Sequence, residues 1–344
     1  MIHLLKKCVI AVTLVAMTIP VYARSWQINN NPNYVADFSS INAAMSSADV
    51  LNGDTLYIGA GCNMGDYQSI NKKVTVIGTG WGYTDSPALA SRITKSLYIN
   101  SADVKIIGLH ITGAVHIYNH NIVLERCKID GTIYSTSQKQ RNIQILQCIT
   151  SCIKSSPNNS NYNYYSDNWT IKNCIIKNSD HCLRSIYNST IENNIIINNS
   201  TGTDSKASLV AYSQLCTIRN NVLIQTNPGG EGSILYGSSN CVCTDNVISA
   251  SADWENNFPE NTYLGSNDPA TVFKCTGSVA AGEYYSLKEN SPAAGAGESG
   301  ADCGVMAGAY KFVPYGRPDY IPVIKKLVVP GTPTNGEINV TIGF

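Results

Sequence analysis

Three residues that could act together in catalysis stand within five positions of one another: Asp180, His181 and Arg184. Carboxylate and imidazole groups can act as general acids and bases, and a basic side chain can also accept a proton. The surrounding stretch, NCIIKNSDHCLRSIYNSTIENN, has strand-like apolar runs and a Ser-Asp dipeptide typical of a turn. The alternative is that Asp180 forms a turn and that His181 lies exposed or beside a groove, with no catalytic role.

The elements that position these residues form a repeat. Nine-residue segments such as NIQILQCIT, NWTIKNCII and NSTIENNII recur at intervals of 20 to 27 residues, beginning at Asn121, Asn142, Asn168, Asn188, Leu215 and Asn240. A weaker copy begins at Asp103. A period of this length with strand-like content, and without helical spacing of apolar residues, predicts an all-β fold of the β-solenoid type.

Two positions of the repeat predict columns inside the solenoid. The fourth position holds Leu124, Ile145, Ile171, Ile191, Ile218 and Cys243, which we expect to form a buried ladder. The seventh position holds Cys127, Cys148, Cys174, Asn194, Asn221 and Asn246. We expect its thiols to be buried packing groups and its amides to bond neighbouring backbones. Redox or metal chemistry of the three cysteines is the alternative.

A third pattern places an apolar residue before a tyrosine, as in Leu97-Tyr98, Ile133-Tyr134 and Leu235-Tyr236. If the apolar residue points inward, the tyrosine points outward, and successive rungs present a file of rings. Such rings pack against the C–H faces of sugars, which predicts carbohydrate binding by Tyr118, Tyr134, Tyr165, Tyr187, Tyr212 and Tyr236. The alternative is that stacked rings only stabilise neighbouring rungs. Long intervals between the anchor segments predict loops beside this file.

The N-terminal sequence has the pattern of a secretory signal peptide. Lys6 and Lys7 precede an apolar run over residues 9–19, and Val21-Tyr22-Ala23 has the small residues that a signal peptidase requires. We expect cleavage after Ala23 and a secreted, periplasmic or cell-surface protein without membrane insertion after cleavage. Without residues 1–23 the chain keeps 22 basic and 24 acidic side chains and 11 cysteines, so no basic field favours nucleic acid.

The order GDTLYIGAG, SINKKVTVIGTGWGY, VKIIGLHITG and then N-x-x-I-x-x-N rungs resembles the right-handed parallel β-helix proteins of the pectate-lyase-like superfamily. It looks most like uncharacterised secreted β-helix proteins of Bacteroidetes, which share the INKKVTVIG segment and an IPVIKKLVVPGT type of tail. The resemblance implies a single-stranded right-handed parallel β-helix over residues 24–310. That range includes an N-terminal cap, a helix that the sequence predicts within residues 37–50 with Phe38, Ile41 and Met45 on one face. A strand tail over residues 311–344 is expected to pack on the solenoid.

Enzymes of this superfamily carry motifs that the chain matches only in part. Where hydrolases of the polygalacturonase type have Gly-Asp-Asp-Cys, this chain has Ser179-Asp180-His181-Cys182, so the second acid is missing. A lyase needs a base, for which Lys177 or Arg184 could serve. It often needs calcium, and loops could bring together Asp167, Asp180 and Asp204.

The sequence therefore predicts a monomer that binds a polysaccharide or surface glycan, without a metal site or cofactor. The first alternative is an enzyme, with a polysaccharide lyase favoured over a glycoside hydrolase and with calcium as its only possible cofactor. The second alternative is a structural or adhesive surface protein without a sugar site, in which the tyrosines are buried and no groove lies between the loops.

Overall fold

The computed structural model describes residues 23–82, 89–135, 140–155, 166–178, 180–199, 208–226, 234–249, 260–274, 285–317, 326–328 and 341–343. Within these residues the protein is all-β, with one α-helix, Ile41–Ser46, and short 3-10 helices at Pro269–Thr271, Glu298–Gly300 and Pro314–Gly316. The strands form two large sheets whose pairs are parallel. The predicted all-β class is confirmed.

One sheet is a single ladder of ten parallel strands, which we call the A ladder. Its strands are Ser25–Ile28, Thr55–Ile58, Thr75–Ile77, Lys105–Ile107, Val123–Glu125, Gln144–Leu146, Thr170–Lys172, Thr190–Glu192, Thr217–Arg219 and Val242–Thr244. The register aligns the whole fourth position of the repeat, from Leu124 to Cys243, in one fully buried column. This predicted column is confirmed, and each aliphatic member contributes roughly 1.5–3 kcal/mol of burial.

The second sheet contains two parallel ladders that share the strands Lys128–Ser135 and Ile149–Ser155. The first residues of the two shared strands belong to one ladder, which we call the B ladder. Its other strands are Asn63–Met64, Arg92–Ile93, His110–Ile111, Ile175–Asn178, Ile195–Asn198, Val222–Gln225, Val247–Ile248 and Thr262–Tyr263. The last residues of the two shared strands belong to the other ladder, which we call the C ladder. Its other strands are Gln68–Ile70, Leu97–Ile99, Val115–Ile117, Leu183–Arg184, Val210–Ala211 and Leu235–Tyr236. Two smaller pairs are the parallel Ser166–Asp167 with Ile186–Tyr187 and the antiparallel Lys326–Val328 with Thr341–Gly343.

Residues with left-handed backbone conformation mark both ends of the repeated A-ladder strands. The first position of the repeat has φ between 46° and 59° in Asn121, Asn142, Asn168, Asn188, Leu215 and Asn240. The sixth position has φ between 52° and 57° in Arg126, Gln147, Asn173, Asn193, Asn220 and Asp245. Asparagine adopts this conformation more readily than most other residues, which explains why it recurs at these two positions.

The seventh position forms a second buried column, as predicted. The backbone N–H of Cys174 donates to Asn194 Oδ1 over 2.8 Å, and that of Asn194 donates to Asn221 Oδ1 over 2.8 Å. The Asn221 N–H continues the series to Asn246 Oδ1 over 3.0 Å. The thiols of the column are free and buried, and burial raises the pKa of the Cys148 thiol well above its usual value. The amides therefore satisfy backbone groups inside the core, and the thiols act as packing groups.

The N-terminal helix is shorter than the sequence predicts. It covers Ile41–Ser46, where Ser40 Oγ accepts the Ala43 N–H over 3.1 Å as an N-cap. Ile41 and Met45 are buried on one helix face, as expected. The sequence predicts Phe38 on the same face, but Phe38 lies before the helix, and the centroid of its ring is 5.5 Å from that of Trp26.

The residues after the B ladder build a second hydrophobic core on its outer side. Outward-facing apolar residues of the ladder, such as Ile195 and Val222, pack there against Phe273, Val305 and Phe312. This packing explains why the strand Ile195–Asn198 is buried on both faces.

Residues 304–317 then run back along the sixth-position column toward the N-terminal rungs. The Gly304 N–H donates to Asn220 O over 2.9 Å, and Asn173 Nδ2 donates to Val305 O and Ala307 O. Two rungs earlier Arg126 Nη1 donates to Arg317 O over 3.2 Å. Of the predicted tail over residues 311–344, this run and the antiparallel strand pair are the described parts.

The signal-peptide prediction concerns residues 1–23, of which residues 1–22 lie outside the described residues. Across the described part of the chain, no helix has the length and apolar character needed to cross a membrane.

Candidate functional site

The residues at outward positions of the C ladder form one column, which includes three of the predicted site residues, Tyr134, Arg184 and Tyr236. Strand register aligns these residues in the order Ser69, Tyr98, His116, Tyr134, Lys154, Arg184, Ala211 and Tyr236. We call this column the C face. Neighbouring strands lie about 4.8 Å apart, so the column extends about 29 Å from Tyr98 to Tyr236. The apolar residues on either side of the outward tyrosines, such as Leu97 and Ile133, are fully buried.

An aromatic stack occupies the first part of the C face. The ring of His116 lies between those of Tyr98 and Tyr134, with centroid distances of 4.7 and 5.3 Å and interplanar angles of 7° and 20°. The Tyr118 ring flanks the stack, 6.4 Å from Tyr98. Tyr118 follows its strand and stands two residues beyond His116, so it lies beside the column rather than in it. The Tyr67 ring meets Tyr98 edge-on at 6.1 Å.

The imidazole in this stack is a neutral ring at neutral pH. Burial lowers the pKa of His116 below its ordinary value, because the charged form loses solvation. A neutral imidazole offers one donor, one acceptor and an uncharged ring face. The first part of the C face is therefore an uncharged aromatic surface with polar edges, which is the chemistry that a pyranose ring can use.

An ion pair occupies the middle of the C face. Lys154 Nζ lies 3.0 Å from Asp180 Oδ2, and the side chains are 18% and 54% exposed. Burial would raise the pKa of Asp180, but the hydrogen bond and charge of Lys154 outweigh it, so this pKa is lowered. Burial would lower the pKa of Lys154, but Cys152 and Asp180 outweigh it, so this pKa is raised. Both groups are charged at neutral pH, and Lys154 is a poor base.

The side chains of the predicted catalytic pair, Asp180 and His181, are not joined by a hydrogen bond. His181 Nε2 lies 3.9 Å from Asp180 Oδ1, beyond hydrogen-bond distance. The His181 side chain is almost fully buried, and its Nδ1 is 2.8 Å from Ser208 Oγ. The backbone oxygen of His181 accepts a hydrogen bond from Cys152 Sγ over 3.0 Å. These contacts fix the imidazole between rungs and place it beside the ion pair.

Arg184 is held by an aromatic ring. Its guanidinium carbon lies 5.1 Å from the centroid of the Tyr212 ring, in a cation–π contact. Tyr212 has a φ of 49°, which is costly for a bulky residue. Gly237 stands next to it in register, and a Cβ on this glycine would be 3.0 Å from Tyr212 Cδ1. The glycine therefore leaves space for the ring that covers Arg184.

A second aromatic cluster closes the C face. The Tyr236 ring stacks on the His181 ring at 6.2 Å and 16°, and meets the Tyr212 ring edge-on at 5.4 Å and 86°. The His181 and Tyr212 rings are also perpendicular, at 5.9 Å. All three catalytic candidates and two of the predicted tyrosines thus converge at one place on the C face.

The predicted single file of tyrosines is divided in the structure. Tyr118 and Tyr134 lie at the first aromatic stack, and Tyr212 and Tyr236 lie at the second cluster. Tyr187 pairs with Asp167 and Gln214 in a separate short ladder beside the C face. Tyr165 lies outside the described residues. The division arises because Lys154 and Arg184 occupy the outward positions between the two clusters.

The acidic residues considered for calcium do not assemble among the described residues, where no three His, Cys, Asp or Glu side chains could hold a metal ion. Asp167 pairs with Arg141, with 3.6 Å between Oδ2 and Nε, and accepts a hydrogen bond from Asn188. Asp180 pairs with Lys154. Asp204 lies outside the described residues. Lys177, the other base candidate, is exposed on a B-ladder strand.

Sequence reasoning missed three residues at this surface: His116, Lys154 and Ser208. The strand pattern SLYI at residues 96–99 matches AVHI at residues 114–117, and this match would have aligned His116 with Tyr98. Lys154 and Ser208 had no such signal, because they contact Asp180 and His181 from neighbouring rungs, 26 and 27 residues away.

Comparison of the chain with models of protein families, with curated proteins and with solved structures finds no match.

Proposed function

We propose that the protein is a right-handed parallel β-helix of the pectate-lyase-like type that binds polysaccharide along the C face. Parallel A, B and C ladders whose strands return every 15 to 30 residues support the β-helix. In this fold the helix Ile41–Ser46 would cover the N-terminal end, because its apolar face packs toward the first strands.

The observation that carries the functional proposal is the order in which the outward side chains follow one another along the C face. Two aromatic clusters flank a short basic segment formed by Lys154 and Arg184. The ring of Tyr134 belongs to the first cluster and that of Tyr236 to the second. A long glycan laid along the face would meet ring faces at both ends and hydrogen-bond donors in the middle.

The exposure of the rings distinguishes this proposal from a purely structural role. A spacer or adhesive protein without a sugar site would bury its tyrosines inside the stack of rungs. Tyr98, Tyr134 and Tyr236 instead lie on the outward side of the C ladder and remain partly exposed. Ring stacking between rungs adds stability as well, so the two roles are compatible.

Export fits the proposed ligand. A signal peptide over residues 1–23 would place the protein in the periplasm, on the cell surface or outside the cell, where polysaccharides are accessible. We propose that the mature chain acts there as a monomer, with a β-helix over residues 24–310 and a tail over residues 311–344.

A polysaccharide lyase is the second candidate, and the position of Arg184 favours it. No hydrogen bond or ion pair joins its guanidinium to another side chain of the described residues, and it stands beside His181 on the C face. Hydrolysis by two carboxylates is less favoured, because Asp180 is already paired with Lys154 and is followed by His181 rather than a second acid.

A binding screen of the exported protein tests both candidates. Affinity electrophoresis in gels containing plant, algal or host polysaccharides measures retention, and ultraviolet absorbance of unsaturated uronides detects a lyase. Retention without new reducing ends or absorbance is the expected result. Growing absorbance would replace the binding proposal with the lyase, and absence of both signals for every polysaccharide would contradict both.

A further inference from the structure

A buried carboxylate at the start of the A ladder receives the backbone nitrogen of Arg24. Asp54 is fully buried, and its Oδ1 accepts the Arg24 N–H over 2.7 Å. Its Oδ2 accepts the indole N–H of Trp26 over 2.8 Å and the Leu51 N–H over 2.9 Å. Arg24 and Ala23 themselves are exposed. The carboxylate therefore lies beneath the point where the chain enters its first strand.

Burial alone would raise the pKa of Asp54, but its hydrogen bonds and, more weakly, the charge of the Arg24 side chain outweigh burial and lower this pKa. The three hydrogen-bond donors to this carboxylate are two backbone amides and an indole, all of them neutral. Within the described residues, no lysine or arginine side chain forms an ion pair with it. A buried ionised carboxylate is stabilised best when it is both hydrogen-bonded and paired with a positive charge.

The sequence places the predicted signal-peptidase site directly beside this carboxylate. Val21-Tyr22-Ala23 has the small residues expected before the cleaved bond, so the new N-terminus would be Arg24. Peptidase-catalysed addition of water breaks the Ala23–Arg24 amide bond. Ala23 then ends in a carboxylate, and the Arg24 nitrogen takes up a proton to become an α-ammonium group.

We propose that Asp54 is the receptor for the mature N-terminus, and that cleavage after Ala23 converts its contact with the Arg24 nitrogen into an ion pair. The new charge appears on the atom that is already within hydrogen-bond distance, so no rearrangement is required. This inference rests on the predicted signal peptide and is independent of glycan binding.

The ion pair would secure the first strand of the A ladder. The Thr55 N–H donates to Arg24 O over 2.8 Å, and the strand Ser25–Ile28 begins at the next residue. Ser25–Ile28 is the terminal strand of the A ladder, and on its free side only its last residues are bonded, by the bridge of Ile28 to Phe38. Its first residues therefore depend on side contacts such as that of Asp54. In the precursor the Arg24 nitrogen is an uncharged amide, so the ion pair with Asp54 that holds this end of the strand forms only after cleavage.

Four forms of the full-length gene, each exported and processed by the host, test this proposal. The first three are the wild type, a form with one extra alanine inserted between Ala23 and Arg24, and Asp54→Asn. The fourth form combines the insertion with Asp54→Asn. Mass spectrometry identifies each N-terminus, and thermal unfolding measures Tm. The insertion moves the ammonium group one residue away from Asp54 but retains an N–H at Arg24.

We expect the wild-type chain to begin at Arg24 and the insertion to lower its Tm by about 2–4 °C. In the Asp54→Asn background the insertion should change Tm by less, because the carboxylate partner is missing. A wild-type N-terminus other than Arg24, or an insertion that leaves the wild-type Tm unchanged, would overturn the proposal. If Asp54→Asn fails to fold, these two wild-type comparisons still decide the question.

Discussion

The Arg184 guanidinium lies over the Tyr212 ring, at 5.1 Å from its centroid. Tyr212 presents this ring from a left-handed backbone position, and Gly237 in the next rung leaves room for it. A strained residue that positions a partly exposed cation is a typical feature of a ligand site.

Tyr212→Asn should reduce glycan retention while the fold stays intact. Asparagine accepts the left-handed conformation, so the backbone strain falls, but the ring that holds Arg184 is lost. Retention in affinity electrophoresis and Tm measure the two effects. As a comparison, Gly237→Ala keeps the ring but adds a Cβ close to it at a φ of 57°, and should lower stability by about 1–2 kcal/mol. Full retention in Tyr212→Asn would argue against Arg184 as a binding group.

Tyr134→Ala and Tyr236→Ala should each weaken glycan binding by roughly 3- to 10-fold, because each removes one ring face from an aromatic cluster. Tyr263→Ala is the matched control, since Tyr263 is exposed on a B-ladder strand away from the C face. Dissociation constants from titration with a retained polysaccharide measure the effect. Equal weakening in the control would mean that binding does not depend on the C face.

His116 should make stability depend on pH in the weakly acidic range. Its pKa is lowered in the folded protein by burial, so the unfolded chain binds the proton more readily. Stability is then fully present above the unfolded pKa of about 6.5 and is lost as the pH falls through the folded pKa. Tm measured across this range should fall less for His116→Phe than for the wild type. Parallel curves for the two proteins would contradict this assignment.

Asn221→Ala should be strongly destabilising, by about 2–5 kcal/mol in the free energy of unfolding. Its side chain accepts the Asn194 N–H and donates to Ile191 O, and both groups are buried. Denaturant unfolding measures the change. Asn63→Ala, at an exposed B-ladder position, serves as the control and should change stability by less than about 0.5 kcal/mol. Similar values for both variants would show that the amide column adds little.

The columns of the repeat could be predicted because a parallel ladder translates sequence period directly into register. Leu124 and Ile145 occupy the same place in consecutive copies, and they pair in the A ladder. The left-handed asparagines follow the same logic, since each copy turns at the same point. Residues fixed by a constant spacing within one copy are therefore readable from sequence.

The candidate site was less predictable because its partners come from different rungs. The sequence pattern aligns Tyr118 with Tyr98, 20 residues apart. The strands of these two rungs pair at an interval of 18 residues, so the register places His116 beside Tyr98. The ion pair of Lys154 with Asp180 joins residues 26 positions apart. Such contacts depend on the length and conformation of the loop between two rungs, and the repeat pattern contains no information about these loops. The same reason explains why Asp180 and His181, adjacent in sequence, turn to different partners.

Hydroxyl-radical footprinting of the exported protein, with and without a polysaccharide that it retains, tests directly whether the glycan lies along the C face. We expect reduced modification of Tyr98, Tyr134 and Tyr236 in the complex, and unchanged modification of the exposed Tyr263 and Tyr310. Protection of Tyr263 or Tyr310 without protection of the C face would contradict this placement of the glycan.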